Sequence, residues 1–138
     1  MYSIIKRLIL GLTCLLVITN CTKTNQSLDG LCSTPINASE FEINLTAGVS
    51  SASFSTETSW WFESIILNDS VSVAQEELDL SHQDNFTVSY EEFTIEKTNG
   101  NQVKVSMSAN ETGTERLLFI GLQSGNCYDS VKIIQSGE

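Results

Sequence analysis

Val103–Leu122 reads VKVSMSANETGTERLLFIGL, and its interpretation decides the fold. Within it, ANETGTER (109–116) gathers two carboxylates (Glu111, Glu115), a guanidinium (Arg116), an amide (Asn110) and two hydroxyls in eight positions. Such a cluster is either a polar active site or the turn between two strands. The flanks favour the turn. VKVSMSA (103–109) places Val103, Val105 and Met107 on one face with Lys104 and Ser106 on the other, and RLLFIGL (116–122) is apolar on both faces. Alternation with period two over β-branched residues marks a strand with one face buried, and a run apolar on both faces suits a central strand. Asn110 and Gly113 suit the side-chain-capped or positive-φ positions of a hairpin loop. Acid–base catalysis requires carboxylates in a cleft whose environments separate their pKa values, whereas Glu111 and Glu115 fall on a solvated turn.

The same period extends outward. FEINL (41–45) aligns Phe41, Ile43 and Leu45, FTVSY (86–90) aligns Phe86, Val88 and Tyr90, and FTIEK (93–97) aligns Phe93 and Ile95. SVKII (130–134) is apolar on both faces. Turn signals recur at TAGVS, LNDS, TNGN and QSGN, and no window has a helical period. Several short strands at this spacing predict an all-β sandwich or barrel. The expected core is Phe41, Ile43, Leu45, Phe54, Trp60, Phe62, Ile65, Val88, Phe93, Ile95, Val103, Val105, Leu118, Ile120, Val131 and Ile133. The least regular stretch, NDSVSVAQEELDLSHQDN (68–85), is expected to form a long connection, part of it helix-tolerant and mobile.

The chain has 138 residues, room for one domain after its first segment. MYSIIKR is a short basic start, and LILGLTCLLVI (8–18) is an apolar run too short to span a bilayer but long enough for a secretory signal core. Ile18-Thr19-Asn20-Cys21 resembles a bacterial lipobox, with Asn20 where Gly, Ala or Ser is usual. That resemblance implies removal of residues 1–20 and acylation of Cys21. The alternative is ordinary cleavage near Thr19 to Thr22 that leaves Cys21 a thiol. One acyl chain holds a membrane only marginally, and two or more hold it firmly. The expected location is the outer membrane, reached through a lipid anchor, with its face open. Residues 21–38, rich in Thr, Asn and Ser and holding Pro35, read as a flexible tether to a domain at 39–138.

Without Lys6 and Arg7, five basic residues face seventeen acidic ones, a balance of −12. Nucleic acid is excluded as a partner, because its binding depends on neutralising phosphates with Lys and Arg. Cys32 and Cys127 remain after Cys14 and Cys21 are set aside. In an oxidising compartment they are either a disulfide or two independent thiols.

FTIEK, VKVSMSANETGTERLLFIGL and SVKIIQ (130–135), with SWWFESI (59–65) before them, resemble the BACON domain of exported proteins from gut bacteria. The likeness spans Phe41 to Ser136; Phe93 stands where many members carry a second tryptophan. It implies an immunoglobulin-like β-sandwich of about seven to eight antiparallel strands. It also implies a non-catalytic accessory module, for which carbohydrate or mucin is the ligand class proposed in the family.

Trp60 and Trp61 face opposite ways on a strand. Trp60 shares a face with Phe62 and belongs in the core. Trp61 either presents its indole to a sugar ring, with Tyr90 and Tyr128 as further members of a platform, or is covered by the 68–85 connection. Asp79, His82 and Asp84 lie close in sequence but lack a second imidazole or thiolate, so a solvated loop is expected and no metal. No serine stands in a nucleophile elbow, Cys127 has no histidine near it, and no cofactor motif occurs. A non-enzymatic chain without cofactor is expected, its partner either a glycan or an envelope protein docking on a sheet.

Overall fold

The computed structural model describes residues 32–138. The expected signal segment 1–20, the acylation site Cys21 and the tether as far as residue 31 lie outside the described residues.

Among the described residues nine strands form, most of them where the alternation and turn signals predict extended chain. In order they are β1 (Glu42–Leu45), β2 (Ser50–Ser55), β3 (Trp61–Leu67), β4 (Val71–Ser72), β5 (Phe86–Ser89), β6 (Phe93–Thr98), β7 (Gln102–Met107), β8 (Arg116–Ser124) and β9 (Cys127–Gln135). A helical turn, α1 (Gln75–Leu78), and a 3-10 turn (Asp79–His82) join β4 to β5. The β8–β9 hairpin closes through Gly125-Asn126, with Gly125 at φ 60°, a conformation that costs glycine little. The β6–β7 hairpin turns through Asn99 and Gly100, at φ 54° and 75°.

The strands make two sheets. One has the order β1-β9-β8-β3-β4, the other β2-β7-β6-β5. This is an all-β sandwich of immunoglobulin-like arrangement, with nine strands instead of seven or eight. Pairing is antiparallel except that β1 runs parallel to β9, Ile43 opposite Ile133. A parallel neighbour needs a crossover, and the chain between β1 and β9 visits both sheets.

The core lies between the inner faces. Phe62, Ile65, Leu118, Ile120, Val131 and Ile133 come from the five-stranded sheet, and Phe54, Phe93, Ile95, Val103 and Val105 from the other. Trp60 packs edge-on to Phe62, ring centroids 4.8 Å apart. Ile43 and Leu45 are half-buried against this cluster. Met107 is buried on the same face as Val103 and Val105, and Ile36, Leu67, Val73 and Leu78 join the core without having been expected there.

Four expectations are corrected. NETGTE is not a hairpin: β7 and β8 belong to different sheets, so residues 108–115 carry the chain across the sandwich. Phe41 is 70% exposed. The Ser39 amide bonds to the Ser55 carbonyl of one sheet while Glu42 registers on Lys132 of the other, so Phe41 lies in a crossing where the alternation of β1 does not apply. The tether does not reach residue 38, because Ile36 and Ala38 are buried and the Ile36 carbonyl accepts the Glu57 amide at 3.0 Å. Finally, the 68–85 connection is packed: Val73, Leu78 and Ser81 are buried, and the Ser81 hydroxyl accepts the Phe62 amide at 2.9 Å.

Candidate functional site

The outer face of the five-stranded sheet collects the candidate ligand-binding residues through strand register. Trp61 on β3 lies opposite Gln123 on β8, and Gln123 lies opposite Tyr128 on β9. Directly paired residues project to the same side, so the three form a row across the sheet. Tyr128 is 67% exposed. Its phenol oxygen accepts a hydrogen bond from the Gln123 amide at 3.0 Å, and that amide also donates to the Gly125 carbonyl at 2.9 Å. The ring is therefore held in place while open to solvent.

Trp61 is half-buried, its indole stacked on the His82 ring at 4.6 Å and 26°. The 68–85 connection thus covers one side of Trp61, as the burial alternative had it. Tyr90 does not belong to the row. It sits in the turn between β5 and β6 of the other sheet, half-buried and stacked on Phe93 at 5.3 Å, where its ring extends the core. Tyr90 is therefore not brought together with Trp61 and Tyr128, contrary to the expectation of a shared platform.

Next to the row, β3 carries a bulge between Phe62 and Ser64. The extra residue lets both Glu63 and Ser64 stand over Gly121 of β8. A methyl group built on Gly121 would collide with the Ser64 hydroxyl and lie 2.8 Å from a Glu63 carboxylate oxygen. Glycine here permits the close approach, a role it often has inside strands. An open groove of about 440 Å³ results, lined by Glu63, Phe119, Gly121, Tyr128 and Ser130 among others. Beyond it, Lys132 pairs with Glu42 at 3.4 Å.

The remaining candidates are distributed elsewhere. Asp79 and His82 lie on the 3-10 turn, and among the described residues no three His, Cys, Asp or Glu converge as metal ligands. Glu111 and Glu115 are exposed on the inter-sheet connection. Asn110 is fully buried there, its amide donating to the carbonyls of Thr114 (2.7 Å) and Ser136 (3.1 Å) and accepting from the Thr112 hydroxyl (2.7 Å). Cys32 and Cys127 are joined by a disulfide, Cα atoms 4.9 Å apart.

Sequence reasoning missed Lys97. Its ammonium donates to the Trp60 and Ser81 carbonyls, both at 2.8 Å, and lies 4.5 Å from the Trp60 ring centroid. Burial lowers its pKa from 10.5, opposed by the nearby Asp84 carboxylate. A signal existed: Lys97 shares the parity of Phe93 and Ile95, the two core residues of FTIEK.

No family model matches the chain, and no curated protein matches it. Among solved structures it is similar to the NMR structure of a protein from Bacteroides thetaiotaomicron. That likeness has a TM-score of 0.59 and 22% identity, and covers 80% of this chain and 93% of the other. At that identity it is a likeness of fold. A Bacteroides ovatus GH5 xyloglucanase, solved with a XXXG heptasaccharide, aligns over 72% of this chain and 18% of its own, at 13% identity and a TM-score of 0.45.

Proposed function

We propose that the chain is a non-catalytic envelope lipoprotein, acylated at Cys21 on the outer membrane, whose BACON-like domain binds carbohydrate on the outer face of the five-stranded sheet. One observation carries the binding reading: the exposed Tyr128 ring, fixed by Gln123, stands beside the groove floored by Gly121. A pyranose offers an apolar face of C–H groups and a rim of hydroxyls. Tyrosine supplies a rigid apolar surface at small entropic cost, and Glu63 and Ser130 supply hydrogen-bonding groups at the rim. The half-covered Trp61 extends the row.

Affinity electrophoresis of the domain, Asp29 to Glu138, through gels containing soluble polysaccharides tests this. Retardation by at least one polysaccharide, lost in Tyr128→Ala with an unchanged melting temperature, is the expected result. Migration indifferent to every polysaccharide would sink the reading.

A protein-docking role is the second reading. Phe41 and Val49, 70% and 82% exposed, directly precede β1 and β2, which line a groove of about 440 Å³ and each have one unpaired edge. Unpaired strands of this kind can take an added strand from a partner. Capture of one envelope protein, abolished by Val49→Lys and indifferent to Tyr128→Ala, would favour it over glycan binding.

A further inference from the structure

From the charge of the Gly121 groove we infer that the site prefers neutral glycans over those bearing carboxylate or sulfate. The inference rests on the glycan-binding reading and adds the substrate class.

The bulge in β3 sets the charge of the groove. It holds the Glu63 carboxylate over the groove floor, where the nearest oxygen would lie 2.8 Å from a methyl on Gly121. Among the described residues no cation pairs with Glu63, although four cations are present. Lys97 is buried, and Lys104 lies on the other sheet near Glu96. Arg116 reaches Ser108 in the inter-sheet connection. Lys132 shares the face but is paired with Glu42. A sugar hydroxyl can donate to the Glu63 carboxylate. A uronate or sulfate in the same position can only be repelled, with no cation free to offset it.

At about 4 Å, two like charges in water disfavour contact by a factor of roughly five, and by more where the local dielectric is lower. The effect is electrostatic, so it fades as salt shortens the Debye length from about 10 Å at 0.1 M to about 3 Å at 1 M. Sialylated, sulfated or uronate-rich chains are thereby disfavoured severalfold against neutral backbones or neutral branches.

The full chain in detergent, applied to neutral polysaccharides each printed beside its C6-oxidised, carboxylate-bearing form, tests this directly. At low salt the neutral form should be preferred at least about fivefold, and the preference should collapse near 1 M salt. Glu63→Gln should reduce the ratio of neutral to carboxylate-bearing retention severalfold, whatever neutral binding itself loses with the hydrogen bond; Glu63→Ala, read alongside, should reduce the same ratio. Glu111→Gln, at the far inter-sheet connection, should leave the preference intact. Equal retention of both forms by the unmodified chain would overturn the inference, as would a preference unmoved by either Glu63 variant or moved equally by Glu111→Gln. If neutral binding is lost in Tyr128→Ala but the preference ignores Glu63, the binding reading stands and this one falls. If neither form is retained, both fall.

Discussion

Lys97 shows how one side chain can organise a core. An ammonium 2% exposed would ordinarily be an expensive guest, but its two carbonyl acceptors come from elements with no ladder bond between them. The Trp60 carbonyl precedes β3 and the Ser81 carbonyl lies within the 3-10 turn, so Lys97 ties the 68–85 connection to the sandwich. Lys97→Met removes the buried charge but leaves two buried carbonyls without a donor, and the second effect should win. The expected loss is about 2–3 kcal/mol by urea denaturation. A loss under about 0.5 kcal/mol would mean the clamp is dispensable. The pH dependence follows from the lowered pKa. Between the folded-state value and 10.5 the unfolded chain binds more protons, so stability rises with pH across that alkaline window. The difference between wild type and Lys97→Met should therefore grow in favour of wild type as pH increases there, and a shrinking difference would contradict it. His82 is also a residue-scale lesson: its exposure fits a solvated loop, but its ring covers Trp61.

Among the elements, the connection between β7 and β8 had the clearest sequence pattern and the most misleading one. Both flanking strands lie where the alternation put them. What alternation could not give was the partner of each strand, because a hairpin and an inter-sheet crossover present the same local signal of strand, polar turn, strand. Tertiary contacts made the choice: Asn110 binds Thr112, Thr114 and Ser136, and Gln135 reaches back to the carbonyls of Ala47, Gly48 and Ser108. The carboxylates of the same loop hold nothing comparable. Asn110→Ala should cost about 2–3 kcal/mol by chemical denaturation, whereas Glu111→Gln and Glu115→Gln should stay within about 0.5 kcal/mol. Comparable losses in all three would return the loop to being a charged cluster with a purpose of its own. The bulge in β3 was equally hidden, since one inserted residue leaves the apolar pattern of SWWFESI readable in either register. Gly121 in LLFIGL was the available hint, a glycine where a central strand would otherwise carry a side chain.

For the molecule as a whole, the disulfide joins the first described residue to the start of the last strand, 95 positions apart. Closing so long a loop restricts the unfolded chain, and a contribution of about 3–4 kcal/mol is expected. Thermal unfolding followed by circular dichroism, with and without reductant, should show a fall of more than about 10 °C. Two cysteines of the mature chain labelled by alkylation without reductant would mean that the bond does not form. The bond also corrects the domain boundary. Cys32 is anchored at the β8–β9 hairpin, and Ile36 and Ala38 are packed beyond it, so the domain begins at least seven residues earlier than composition implied. Thr, Asn and Ser describe a segment's solubility, and they do not report one isoleucine fitting a gap between sheets.

Side-chain parity and turn chemistry are local properties, written within a few residues, and they determined the strands, most of the core and the all-β class before any contact was known. The acidic balance, being a sum over residues, was fixed in the same way. The pairing of strands across the sandwich, the cover His82 lays on Trp61, the burial of Lys97 and the groove over Gly121 were decided only by tertiary structure. Each joins residues far apart in sequence, and the free energy that selects such a contact depends on the shape and polarity of its partner.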